Sequence, residues 1–286
     1  MKKIFSTKGL IIFFSLLLVI QLAWNGYLYT LPSNTEPANF WYNFMYGSTS
    51  ILIAIVGLLS VYLGSERKSA LSQAVAFLSW GALANGLGLF YWGYNNIVAN
   101  IEIPYPSVGE YLFLAFPILM GIGFWRLLRL YKPLITTRLI SEAIVIFLIT
   151  AVPIFRYFIQ PNLDPSNSLF SNFVTIAIPW EDAFIIALVY LAVRLSGGKF
   201  HKYFWLFIVS LLLLIAGDFT FQTRNLMGIY WNGDIADLLY TINMYVFALA
   251  LIYTVESSTE HTMASVAPTQ PTPPVMPQPL PPTPTV

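Results

Sequence analysis

The chain has 286 residues, of which 57% are apolar, 16% aromatic and 9% charged, at a formal net charge of +1. A soluble domain carries about 25% charged residues, so this chain cannot clothe a water-facing surface of its size, and it has no basic field with which to hold nucleic acid. It has no cysteine, which excludes disulfides, thiolate metal sites and cysteine nucleophiles. Its histidines, His201 and His261, both lie outside the long apolar runs, so a haem held by two buried histidines is excluded as well.

A bilayer core of about 30 Å is crossed by about 20 mostly apolar helical residues. Eight runs meet that length, at roughly 10–31, 41–64, 70–93, 107–130, 137–160, 170–195, 203–223 and 234–255. In lipid every backbone polar group must be paired locally, so the runs are predicted to be helices. Read as buried strands they are too long. The expected fold is all-α, a polytopic membrane bundle of about eight helices over residues 1–256. The first run follows Met1-Lys2-Lys3, as a signal peptide would, but Ala23-Trp24-Asn25 offers no small-x-small cleavage site. It is read as an uncleaved helix, with a cleaved signal as the alternative.

Basic residues set the expected orientation. With the N-terminus in the cytoplasm, 12 of the 14 lysines and arginines fall inside: Lys2, Lys3, Lys8, Arg67, Lys68, Arg126, Arg129, Lys132, Arg138, Arg194, Lys199 and Lys202. Arg156 and Arg224 are left on the outer side. The flipped topology reverses that ratio. Helix parity then brings the C-terminus inside too, in a cell membrane. The loops assigned outside are short and rich in Pro, Asn and aromatic residues. Trp24, Trp41, Trp92, Trp180 and Trp231 lie toward them and read as an interfacial belt, with ligand stacking as the alternative. Residues 257–286 hold nine of the 19 prolines and no Lys or Arg. They are expected to form a disordered cytoplasmic tail, whose Pro-x-x-Pro spacings could also dock an aromatic groove.

Charges inside the membrane runs are the informative residues, since each costs about 2.5–3.5 kcal/mol at a helix centre. Glu181 and Asp182 lie well inside the sixth run, just after Pro179. Neighbouring helical positions diverge by about 100°, so the two cannot easily share a partner. Asp218 lies in the seventh run, Asp237 begins the eighth, Glu110 begins the fourth, and Arg156 sits late in the fifth. All fall toward the outer side, although their helices alternate in direction. Glu110, Arg156, Glu181, Asp182, Asp218 and Asp237 are therefore the candidate ligand-binding residues of one outer-half polar pocket. The structural reading is of buried ion pairs, Arg156 with Glu181 or Asp182 and Arg224 with Asp218 or Asp237. Five acids against two arginines leave a surplus that must be solvated, protonated or neutralised by a cation.

No lysine lies within a membrane run, as a retinal Schiff base would require, and no phosphate-binding Gly-x-x-x-x-Gly-Lys-Ser/Thr loop or His-Glu-x-x-His zinc helix occurs. No cofactor, metal or catalytic residue is expected. Gly81, Gly86, Gly88, Gly121 and Gly123 are read as close-packing positions. A faint internal echo links Pro106 to Phe113 with Asp234 to Tyr240, as in repeated helical hairpins.

The stretch Pro104-Tyr105-Pro106-Ser107-Val108-Gly109-Glu110, followed by Phe113-Leu114 and Phe116-Pro117, resembles a motif of the multi-helix N-terminal membrane domains of some bacterial signalling proteins. Those domains precede diguanylate-cyclase (GGDEF) or histidine-kinase modules. Gly217-Asp218 and Asp234 to Tyr240 look like the family's later acidic positions. Glu110 stands where the family pattern has Asp, and no output module is seen after residue 255. The resemblance implies a sensor domain that works with a cytoplasmic or membrane signalling partner. The expected function is thus a non-enzymatic membrane sensor or accessory protein with an outer-half polar pocket. The alternative is a small transporter or proton- or cation-translocating protein.

Overall fold

The computed structural model describes residues 6–64, 69–101, 107–129, 135–163, 165, 166, 168–196 and 202–266. Among these there is no strand. Eight helices follow one another: α1 (Thr7–Leu28), α2 (Pro37–Leu63), α3 (Ala70–Tyr94), α4 (Val108–Leu128), α5 (Thr137–Ile154), α6 (Leu169–Ser196), α7 (Lys202–Leu226) and α8 (Ile235–Val266). Each is long and apolar enough to cross a bilayer. The chain is an integral, multi-pass membrane protein of the all-α class, with contacts to the lipid bilayer.

Local chemistry starts the helices. Ser6, Ser69 and Thr136 accept the first free backbone N–H groups of α1, α3 and α5. Pro37 opens α2, where its missing N–H costs nothing. Two helices end in wide π turns, Asn95–Ala99 after α3 and Phe155–Ile159 after α5. The second follows Pro153, which cannot donate to the turn before it.

α1 and α8 run antiparallel along their whole length. Thr7 donates to Glu256 at one end (2.9 Å), and Asn25 donates to the Gly233 carbonyl at the other (2.6 Å). The end with Thr7 and Glu256 is the proximal end here, and the opposite end is distal. α8 is central, packing on α7, α1, α2 and α3, while α2, α3 and α4 form a tight layer. A Cβ at Gly86 would come within 2.9 Å of the Gly47 carbonyl, and one at Gly123 within 3.1 Å of the Ala74 carbonyl, so these helices approach nearly backbone to backbone. α5 packs chiefly on α6.

The outer surface is apolar, as lipid demands. Ile12, Leu16, Val19 and Ile20 on α1, and Ile144, Val145, Leu148, Ile149 and Val152 on α5, are all exposed. Inside, the proximal half is rich in aromatic rings. Phe124, Phe204, Phe207 and Phe247 are all buried there and meet ring to ring, with centroids 6.0 Å (Phe124–Phe204), 6.3 Å (Phe124–Phe207) and 5.7 Å (Phe207–Phe247) apart. α8 continues to Val266, past residue 257 where the tail was expected to begin. Its last ten residues contain no proline before Pro268, so nothing in the sequence stops the helix earlier. Residues 267–286 lie outside the described residues, as do Pro104, Tyr105 and Pro106 of the fourth-helix motif.

Candidate functional site

The polar interior gathers in the distal half, around α6, α7 and α8. α6 turns its two acids to different sides, as their helical spacing requires. Asp182 faces inward and is 1% exposed, whereas Glu181 is half-buried and lines a groove about 100° around the helix. The Asp182 carboxyl lies beside that of Asp218 on α7. Two carboxyls side by side repel when both are charged and can bond to each other when one is protonated. Tyr240 of α8 donates its hydroxyl to Asp218 Oδ1 at 2.5 Å. Gly217 makes this approach possible, because a Cβ there would stand 2.6 Å from the Tyr240 ring. Asp218 thus stands between Tyr240 of α8 and Asp182 of α6. Asp182 Oδ2 remains buried without a partner.

A second acid sits one turn closer to the distal end. Asp237, in the first turn of α8, accepts from the Gly233 backbone N–H at 2.6 Å and from Tyr230 Oη at 3.2 Å to each carboxylate oxygen. The helix N-terminus favours a negative charge at this position. Tyr46 of α2 reaches Asp237 more weakly, at 3.5 Å. Tyr240 packs against the Tyr42 and Tyr46 cluster, so a continuous line of carboxyls and phenols runs from Asp182 through Asp218, Tyr240 and Tyr46 to Asp237 and Tyr230. Burial, and then the charge of Asp237, push the Tyr230 phenol well above the ordinary tyrosine range, so it stays a donor.

The α7–α8 turn is pinned over this line. Gly233 adopts a left-handed conformation (φ 97°), and a Cβ on it would run into Leu28 at 2.2 Å. Asn25 donates to the Gly233 carbonyl, Asn39 to the Asn232 carbonyl (3.1 Å) and Asn43 to Asn232 Oδ1 (2.9 Å). Asn39 Oδ1 and Asn43 Oδ1 are themselves buried and unpartnered.

The structure brings Asp182, Asp218 and Asp237 into one line, and Glu181 lies within electrostatic reach of Asp218. Glu110 and Arg156 are placed differently. Glu110 is buried in the first turn of α4 and closes a capping box, accepting from the Ser107 backbone N–H and, at 2.5 Å, from Ser107 Oγ. Its contacts are those of a helix start. Arg156 does not pair with Glu181 or Asp182. The π turn after Pro153 carries it to the exposed surface, where it donates to Gln160 at 2.7 Å. Arg224 pairs with Asp234, the residue just before α8, in place of Asp218 or Asp237. Trp180 lines the same groove as Glu181, near the middle of α6.

Sequence reasoning missed Tyr46, Tyr230, Tyr240 and the three asparagines. One signal was present: Asn39, Tyr42, Asn43 and Tyr46 fall at i, i+3, i+4 and i+7, a polar stripe on an otherwise apolar helix. Among the described residues no group of acids and histidines could hold a metal ion. Comparison of the chain with protein-family models, with curated proteins and with solved structures finds no match.

Proposed function

We propose that this chain is a non-enzymatic membrane sensor or accessory protein, and that its working element is the distal line of carboxyls and phenols. The carrying observation is the Asp182–Asp218 contact: a buried acid and a half-buried acid side by side, with Tyr240 as their third member and, among the described residues, no basic side chain bonded to them. Such a group changes its hydrogen bonding when a proton or a small cation is supplied or withdrawn, and it lies where α6, α7 and α8 meet. A shift there alters the packing of the central helix, α8, whose far end lies at the proximal side. The 12 basic residues assigned inside support a cytoplasmic proximal end with both termini, and hence a line that faces outward. The resemblance of the stretch from Ser107 to Pro117 to bacterial sensor domains supports a signalling partner for that end.

The second reading is proton or cation translocation, which draws on the same uncompensated acids. The buried Phe124, Phe204, Phe207 and Phe247 weigh against it, because they fill the route to the proximal side. Proteoliposomes holding a pH dye separate the two. A sensor is expected to give no sustained proton or cation flux above protein-free liposomes, while a pH step on the distal side changes the carboxyl infrared bands, and Asp182→Asn removes that change. Sustained flux abolished by Asp182→Asn would establish the second reading.

A further inference from the structure

About 100° around α6 from Asp182, helices α4, α5 and α6 line a groove of about 550 Å³. Four aromatic rings line it: Trp125 of α4, Phe147 of α5, and Trp180 and Phe184 of α6. Phe147 and Trp180 stand at 90° to each other, with centroids 6.3 Å apart, and form a corner of the wall. Gly121 keeps the floor low, since a Cβ there would come to 3.2 Å from the Phe184 ring. Trp125, Trp180 and Phe184 are exposed on the surface of the bundle, so the groove opens toward lipid. Within this apolar lining the charged side chain is Glu181.

An acid in such a place needs an explanation. A charged carboxylate facing hydrocarbon is costly, and side chains of this kind default to a functional or paired role. Arg156, the expected partner, is turned to the surface and bonded to Gln160. A single carboxylate cannot supply the several oxygen ligands that a hard metal ion takes, and it repels an anion. A neutral acyl chain would fill the groove without using the acid. What matches both parts of the lining is a cation with an apolar body: aromatic faces attract a desolvated cation, and the carboxylate completes its charge. We propose that this groove is a binding site for a lipophilic organic cation, which enters from the bilayer and sets its charge between Glu181 and the Trp125, Phe147, Trp180 and Phe184 rings. The site stands whether or not the Asp182 line senses anything, because it is read out by binding at Glu181 and the four rings, none of which belongs to that line.

The test uses the full chain in lipid nanodiscs, with labelled tetraphenylphosphonium as the probe and tetraphenylborate, of the same shape and opposite charge, as its control. Saturable binding of one phosphonium per chain is expected above that of empty nanodiscs, with no saturable uptake of the borate. Glu181→Gln should weaken phosphonium binding at least tenfold, and Glu181→Asp, which keeps the charge, should retain most of it. Removing an intramembrane charge does not threaten insertion, and a thermal melt of each variant checks the fold. Absence of saturable phosphonium binding, equal retention of both ions, or wild-type affinity in Glu181→Gln would each overturn the proposal.

Discussion

Tyr240→Phe removes one oxygen and leaves the ring against Gly217, so it isolates the hydrogen bond to Asp218. That bond is 2.5 Å long, and both of its ends are half-buried. A hydrogen bond to a charged acceptor contributes about 1.5–3 kcal/mol in general. Interhelical bonds in membrane proteins contribute less, about 0.6 kcal/mol on average and about 1.7 at most, because the separated helices find other partners in the bilayer. The short bond places this one toward the upper end, so a loss of about 1–1.7 kcal/mol is expected. The assay is equilibrium unfolding in mixed micelles titrated with denaturing detergent and followed by tryptophan fluorescence. A cycle with Asp218→Asn makes it decisive, because the coupling between the two positions should be of the same size. If the two losses add to within about 0.3–0.5 kcal/mol, the positions act independently and the Asp218–Tyr240 contact contributes nothing.

Gly217→Ala should cost about 1–3 kcal/mol by pushing the Tyr240 ring off α7, and adding Tyr240→Ala should relieve most of that loss in the same assay. Arg156→Gln should leave stability within about 0.5 kcal/mol, as at other exposed sites, whereas Arg224→Gln should cost about 1–3 kcal/mol by stranding the buried Asp234; a large loss at Arg156 would mean that it pairs with an interior acid after all. Single cysteines at Asn34, Asn100 and Asn232 should be labelled by an impermeant maleimide from outside intact cells, and a cysteine at Ser196 should not, which the chain's lack of native cysteine makes easy to read. The reverse pattern would invert the proposed orientation.

The spans were legible because hydrocarbon imposes a length and a composition that no local detail can mask. Predicted and observed ends agree to within a few residues, the eighth helix excepted. Asp182 and Asp218 were legible as inward-facing for the same reason: a charge is too costly to leave in lipid. Arg156 defeated that argument because the chain widens into a π turn after Pro153 and the side chain emerges at the surface. Glu110 was legible as an acid at a helix start, but its level in the membrane outweighed the Ser107 to Glu110 spacing that marks a capping box. Tyrosine hid the rest of the line. In a chain this rich in aromatic residues a phenol reads as apolar bulk, and only the fold shows which hydroxyls meet an acid.

Asn25 and Gly233 are 208 residues apart, and Thr7 and Glu256 are 249 apart. During synthesis α1 is therefore made long before the helix it packs along. Until α8 is inserted, Asn25, Asn39 and Asn43 have no turn to hold, and three amide side chains stand open to the bilayer or to the insertion machinery. The last helix made closes the bundle by occupying them. A nascent chain arrested before residue 235 would display those amides as a mark of incompleteness, and completion of the α7–α8 turn would erase it.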